Sequence, residues 1–192
     1  MASFLLINMH AILVHGWRGW PENAWFPWLR RELESRGWTV DAPAMPEPML
    51  PKRDEWIATL EVVIERALKK KIPASKIVLV GHSLGCPTIL FTLQRHQGKP
   101  FAKVLLVSGF GRNFGAPGFQ DWVRHKIDFD AVRHQAKKWA VLHGEGDIFV
   151  PVAEGRWLAE QLHATFVVTA WPGHFMHEEG VKELPEALDA IV

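Results

Sequence analysis

The sequence predicts an α/β fold, a three-layer α/β/α sandwich on a mostly parallel sheet. Short apolar runs of strand length alternate with helix-patterned segments along the whole chain. Runs such as Ile77-Val78-Leu79-Val80 are apolar throughout, as strands buried on both faces are. The pentapeptide Gly81-His82-Ser83-Leu84-Gly85 stands between that strand and a helix-patterned segment. A G-x-S-x-G turn in that context is a nucleophile elbow, with the serine raised on a strained backbone and glycines where a Cβ would collide.

The elements follow in order. Ala11 to Val14 is a short strand ending at His15-Gly16. Trp25, Trp28, Leu29 and Leu33 recur at helical spacing up to Gly37, which ends the helix. Trp38 to Val40 is a second strand, and the four prolines between Ala42 and Pro51 exclude regular structure. Asp54 to Lys71 is a helix with its acids early and its lysines last, matching the helix dipole. After the elbow the third helix runs to about His96, and Val104 to Val107 is a strand. Gly109 to Gln120 is a glycine-rich loop carrying Phe110, Phe114 and Phe119, and Asp128 to Gln135 is a short helix. Trp139 to Leu142 and Thr165 to Thr169 are strands around a helix at Val152 to Leu162, and Val181 to Ile191 is the last helix.

A chain of 192 residues fits a single domain, 1–192, with a sizeable core. The net charge of +1 gives no electrostatic basis for a nucleic-acid partner. The one cysteine, Cys86, excludes an internal disulfide and a multi-cysteine metal site, and reads as a small packing residue. The apolar stretch Ser3 to Ile7 lacks a basic leader and is too short to span a bilayer, so the expected location is cytoplasmic without membrane insertion.

A serine nucleophile needs a histidine to take its proton and a carboxylate to orient that histidine, following in the chain order Ser, Asp, His. Asp147 lies at a strand's carboxyl end, whereas Glu145 starts from another backbone direction and Asp128 and Asp130 precede their strand. His174 lies in the loop after the last strand. His163 precedes that strand, His177 is the rival three residues on, and the side chain of His82 leaves the elbow in another direction. An oxyanion hole is expected from the backbone N–H groups of Leu84 and Trp17. Trp20, Phe110, Phe114, Phe149 and Phe175 are candidates to line a substrate pocket, while Trp25 and Trp28 read better as core. No metal or cofactor is required by this chemistry.

Taken together, His15-Gly16-Trp17, Trp25-Phe26-Pro27-Trp28-Leu29, the elbow with Cys86, Gly146-Asp147-Ile148-Phe149-Val150-Pro151 and Gly173-His174-Phe175 carry a resemblance. The chain resembles the small serine hydrolases related to retinoblastoma-binding protein 9, a compact branch of the α/β-hydrolases. That resemblance implies a triad of Ser83, Asp147 and His174, six largely parallel strands, no large lid, and carboxylesterase-like activity on small esters. The L-x-C-x-E motif associated with the name-giving protein is not present, because Thr88 stands where the glutamate is required. Two other functions fit the same residues: a thioesterase or amidase on the same site, or a protein-interaction module that retains the triad.

Overall fold

The computed structural model describes residues 9–115 and 119–192. The Ser3 to Ile7 stretch, and the part of the glycine-rich loop that includes Gly118, lie outside the described residues. Six strands form one sheet: β1 (His10–Val14), β2 (Thr39–Asp41), β3 (Ile77–His82), β4 (Lys103–Val107), β5 (Trp139–Gly144) and β6 (Thr165–Thr169). Their order is β2-β1-β3-β4-β5-β6 and every neighbouring pair is parallel.

Side chains alternate between the two faces of each strand, and the helices divide accordingly. Ile12, Val14, Ile77, Leu79, Val104, Leu106 and Val141 pack against α2 (Arg53–Lys69), α3 (Gly85–Arg95) and α6 (Val152–Leu162). Ala11, Leu13, Val78, Val80, Leu105, Val107 and Leu142 pack against α1 (Phe26–Ser35) and α7 (Pro185–Ile191). This is the three-layer sandwich expected from the sequence. Two short helices, α4 (Gln120–Val123) and α5 (Phe129–Arg133), lie between β4 and β5. No helix among the described residues is long and apolar enough to cross a membrane.

Beyond shifts of one or two residues at element ends, two helices differ from the sequence reading. The last helix begins at Pro185 rather than Val181, because a residue before proline is driven out of the helical region. Leu184 accordingly sits at φ −145°, ψ 78°. Helix α4 starts at the last residue of the glycine-rich loop, in a stretch for which the sequence gives no element; it buries Trp122 edge-on to Trp56, with ring centroids 5.7 Å apart.

From β1 the chain moves outward to β2, then crosses back to place β3 on the other side of β1. The direction of winding therefore reverses between the carboxyl ends of β1 and β3, where open α/β sheets hold their ligands. His15-Gly16-Trp17 leaves one of those ends and Ser83 the other.

Leu79, at the sheet centre and fully buried, supports the elbow strand from the α2–α3 side. Leu79→Ala is expected to cost about 2–5 kcal/mol, read as a lower urea midpoint with an unchanged m-value. A loss below about 0.5 kcal/mol would contradict this packing.

Candidate active site

Ser83 occupies the left-handed region at φ 53°. Such a φ is costly for a residue with a side chain, and the surrounding contacts hold it. The Ser83 N–H donates to the Val107 carbonyl at 2.9 Å, and the Ser83 carbonyl accepts from Cys86 N–H at 2.9 Å. A Cβ on Gly81 would lie 2.9 Å from the Gly85 backbone, and one on Gly85 would overlap the Val14 carbonyl oxygen. A Cβ on Gly16 would lie 2.8 Å from the Ser83 Cβ. Glycine at these positions lets β1, its exit loop and the elbow touch backbone to backbone.

The acid and base loops meet for the same reason. A Cβ on Gly144 would overlap the Gly173 carbonyl, and one on Gly146 would lie 2.8 Å from Pro172. The turn after β5 is closed by Asp147 itself, whose Oδ1 accepts from Phe149 N–H at 3.0 Å and Val150 N–H at 2.9 Å. Its other oxygen, Oδ2, accepts from His174 Nδ1–H at 2.7 Å. A carboxylate only accepts, so Nδ1 carries the imidazole proton and Nε2 is free to accept. The Ser83 hydroxyl lies 2.8 Å from that Nε2 and donates to it. The structure thus brings Ser83, His174 and Asp147 into one chain of hydrogen bonds at the carboxyl ends of β3, β6 and β5.

Burial works to raise the Asp147 carboxyl. Hydrogen bonds from His143 and His174, together with the His174 charge and the Val150 N–H, outweigh it and hold the carboxyl well below the usual carboxylate range. His143 is fully buried on β5; its Nε2–H donates to the Val150 carbonyl at 2.8 Å and lies 3.4 Å from Asp147 Oδ2. His82 turns away from Ser83, and its Nε2–H donates to the His174 carbonyl at 2.7 Å. Burial, then the neighbouring His174 charge, lowers its pKa to about 3. His15 accepts from Met45 N–H at 3.0 Å through Nε2, and its Nδ1–H donates to the Gly16 carbonyl at 2.9 Å.

Leu84 N–H and Trp17 N–H have no acceptor among the described residues. Trp17 follows Gly16 and Leu84 follows Ser83, so both expected oxyanion donors adjoin the Gly16–Ser83 contact in sequence. A cleft of about 810 Å³ opens over Ser83 and His174. Trp20, Phe110, Phe114 and Phe149 line it, with Trp17 and Ile148 at the mouth. Phe175 does not line it. The positive φ of 59° at Phe175 places its ring, 1% exposed, in the core beneath α1 and α7. Trp25 is core, as expected, and Trp28 packs half-buried beside it.

The rivals fall elsewhere. His177 starts a short 3-10 turn (His177–Glu179) at the cleft mouth and makes no hydrogen bond to Ser83 or Asp147. His163 caps the carboxyl end of α6 in a left-handed conformation. Asp128 caps α5, its Oδ1 accepting from Ala131 N–H at 3.0 Å. Cys86 is buried, its Sγ–H donating to the Val107 carbonyl at 3.4 Å, and burial pushes the thiol well up, away from nucleophilic ionisation. Among the described residues no group of three His, Cys, Asp or Glu side chains is placed to hold a metal ion.

The sequence reading missed His143 and Glu179. Glu179 Oε1 accepts from His174 N–H at 2.9 Å. Neither stands out in the sequence: His143 lies four residues before Asp147 and Glu179 five after His174, and each contact comes from a turn that folds back on itself rather than from a periodic pattern. The glycine at 173 is the one available signal for Glu179: a Cβ there would lie 2.5 Å from its carboxyl group.

The serine hydrolase family model matches residues 11–191, so the chain belongs to the serine hydrolase family. It is similar to YdeN of Bacillus subtilis (strain 168), 33% identical over 181 residues, covering 93% of this chain and 92% of that protein. The crystal structure of the ydeN gene product from B. subtilis superposes with a TM-score of 0.86 at 31% identity, covering 95% of this chain and 96% of the other. Est1E from Butyrivibrio proteoclasticus, solved with ferulic acid bound, superposes with a TM-score of 0.71 at 16% identity, covering 100% of this chain and 93% of that one. At that identity the likeness extends to the fold alone. The fold is that of the α/β-hydrolases.

The neutral His82 makes a pH prediction. Its pKa is lowered on folding from 6.5 to about 3, so below pH 6.5 the unfolded chain takes up a proton that the native state does not. Its contribution is fully present above pH 6.5 and is lost as pH falls toward 3, at up to about 1.4 kcal/mol per pH unit. Buried His15 and His10, also lowered by burial, add to the same slope. Urea midpoints measured from pH 7 to pH 4 should fall, and His82→Gln should flatten the fall.

Proposed function

We propose that the protein is a carboxylesterase-like serine hydrolase acting on small esters through Ser83, His174 and Asp147. The observation that carries this reading is the unbroken hydrogen-bond chain from the Ser83 hydroxyl through the His174 imidazole to the Asp147 carboxylate.

In this mechanism Ser83 Oγ attacks the ester carbonyl while His174 Nε2 takes its proton. Asp147 keeps the imidazole in the Nδ1–H tautomer and stabilises the imidazolium that forms. The N–H groups of Leu84 and Trp17 receive the charge that develops on the carbonyl oxygen. The intermediate collapses, and the leaving alcohol takes the proton from His174. Water, activated by the same imidazole, then releases the acid and restores Ser83. Every proton moves through His174, so no metal or cofactor enters the cycle.

The aromatic lining from Trp20, Phe110, Phe114 and Phe149 favours an apolar acyl group over a charged one. An ester is the proposed substrate class because an alcohol is a better leaving group than an amine, and His174 protonates it as it departs. A thioester or an amide would use the same residues. The single buried cysteine is consistent with a cytoplasmic setting, and the motif set is consistent with the branch related to retinoblastoma-binding protein 9.

Turnover of p-nitrophenyl esters of increasing acyl length tests the proposal. The wild type should hydrolyse them, and Ser83→Ala should lower kcat by roughly 10⁴–10⁶-fold with little change in thermal midpoint. Asp147→Asn should lose about 10⁴-fold through the wrong imidazole tautomer. A wild type that hydrolyses none of these esters would favour the interaction-module reading instead.

A further inference from the structure

Both main-chain polar groups of His174 are taken by side chains. Its N–H donates to Glu179 Oε1 at 2.9 Å, and its carbonyl accepts from His82 Nε2–H at 2.7 Å. Loop backbone at a surface ordinarily gives such groups to water or to neighbouring backbone. Here one partner adjoins the serine in sequence and the other belongs to the turn that follows the base.

The Glu179 carboxylate sits inside the curl of the loop. Its Oε2 accepts from Met176 N–H at 3.1 Å and from Trp171 Nε1–H at 3.4 Å. Gly173 makes room for it, since a Cβ there would lie 2.5 Å from the carboxyl group. One carboxylate therefore ties together three donors spread over residues 171–176.

The curl is also strained. Phe175 is held at φ 59°, a conformation that costs an aromatic residue about 1–3 kcal/mol and persists only where its surroundings over-determine it. Its buried ring anchors the loop from below. Glu179 and His82 hold it from the two sides. His82 is itself fixed, because it is the last residue of β3 and its ring lies edge-on to Trp25, centroids 6.0 Å apart.

We propose that His82 and Glu179 are positioning residues: together they form a main-chain clamp on His174 that fixes its imidazole against Ser83. The inference rests on the reading of Ser83 and His174 as nucleophile and base. Neither clamp residue exchanges a proton with substrate. His82 ties the base to the elbow, so the hydroxyl and the imidazole keep their registry if either loop moves. Displacing a reacting group by about 1 Å costs up to about 100-fold in rate, so the clamp acts on turnover rather than on substrate affinity.

The test compares His82→Phe, His82→Gln, Glu179→Ala and Glu179→Gln with wild type in p-nitrophenyl acetate turnover and in the rate constant of fluorophosphonate labelling. The labelling rate constant does not depend on how much of a sample is folded. His82→Phe and Glu179→Ala should lower kcat and the labelling rate constant by about 10- to 100-fold, with KM within about twofold. His82→Gln keeps an N–H that can reach the His174 carbonyl and should recover most of the loss. Glu179→Gln keeps one acceptor of two and should recover part. If both disruptive variants label within about threefold of wild type, or if the Gln variants are no better than the disruptive ones, the clamp is overturned. Should the disruptive variants not fold, a Glu179→Gln labelling rate equal to wild type overturns it alone. A wild type that neither turns over nor labels removes the reading of Ser83 itself, a different failure from an active wild type with indifferent variants.

Discussion

The close approach of bare backbone at the elbow is the constraint on which the rest depends. Gly85 lies against the end of β1, Gly81 against Gly85, and Gly16 against Ser83, each where a Cβ would be too close to its neighbour. Pressed between them, Ser83 takes a left-handed conformation that a free serine avoids. The rotation lifts its hydroxyl out of the turn and leaves the Leu84 N–H without a backbone acceptor at the head of α3. The same contact brings the Gly16-Trp17 loop beside the serine. One steric fact thus brings the elbow and the loop that follows β1 together.

Three histidines around this point differ by environment rather than by type. His174 sits between a hydroxyl and a carboxylate, so its tautomer is set by Asp147. His82 is kept neutral by burial and by the neighbouring His174, and serves as a donor to backbone. His143 is enclosed under α6, where Gly155 leaves room for its ring, and helps to keep Asp147 ionised from behind. Asp147 in turn closes its own loop through Phe149 and Val150. An ordinary turn-forming aspartate and an imidazole-orienting aspartate are here the same side chain.

Much of this was legible in the sequence because it is local. Strand runs such as Ile77–Val80, the helix stripe of Trp56, Leu60, Val63 and Ile64, and the glycine spacing around Ser83 are all set by near neighbours along the chain. Ser83, Asp147 and His174 meet because they follow parallel strands that all end on one edge. What was not legible depends on contacts made only after folding. Phe175 looked like a pocket residue beside His174, but its positive φ sends the ring into the core. Glu179 and His143 carry no periodic signal, since each meets its partner through an irregular turn of its own segment, five residues back to His174 and four on to Asp147. The apolar pattern extends the last helix back to Val181, yet Pro185 holds Leu184 out of the helical region, so α7 starts at Pro185.

The central claim is that the Ser83 hydroxyl is the group that accepts the acyl fragment. The most direct measurement is peptide mass spectrometry of protein acid-quenched during turnover of a p-nitrophenyl ester. An acyl adduct confined to the peptide holding Gly81-His82-Ser83-Leu84-Gly85, and located on the serine by fragmentation, is the result expected. An adduct on any other residue, or ester hydrolysis that continues at full rate with Ser83 replaced by alanine, would contradict it.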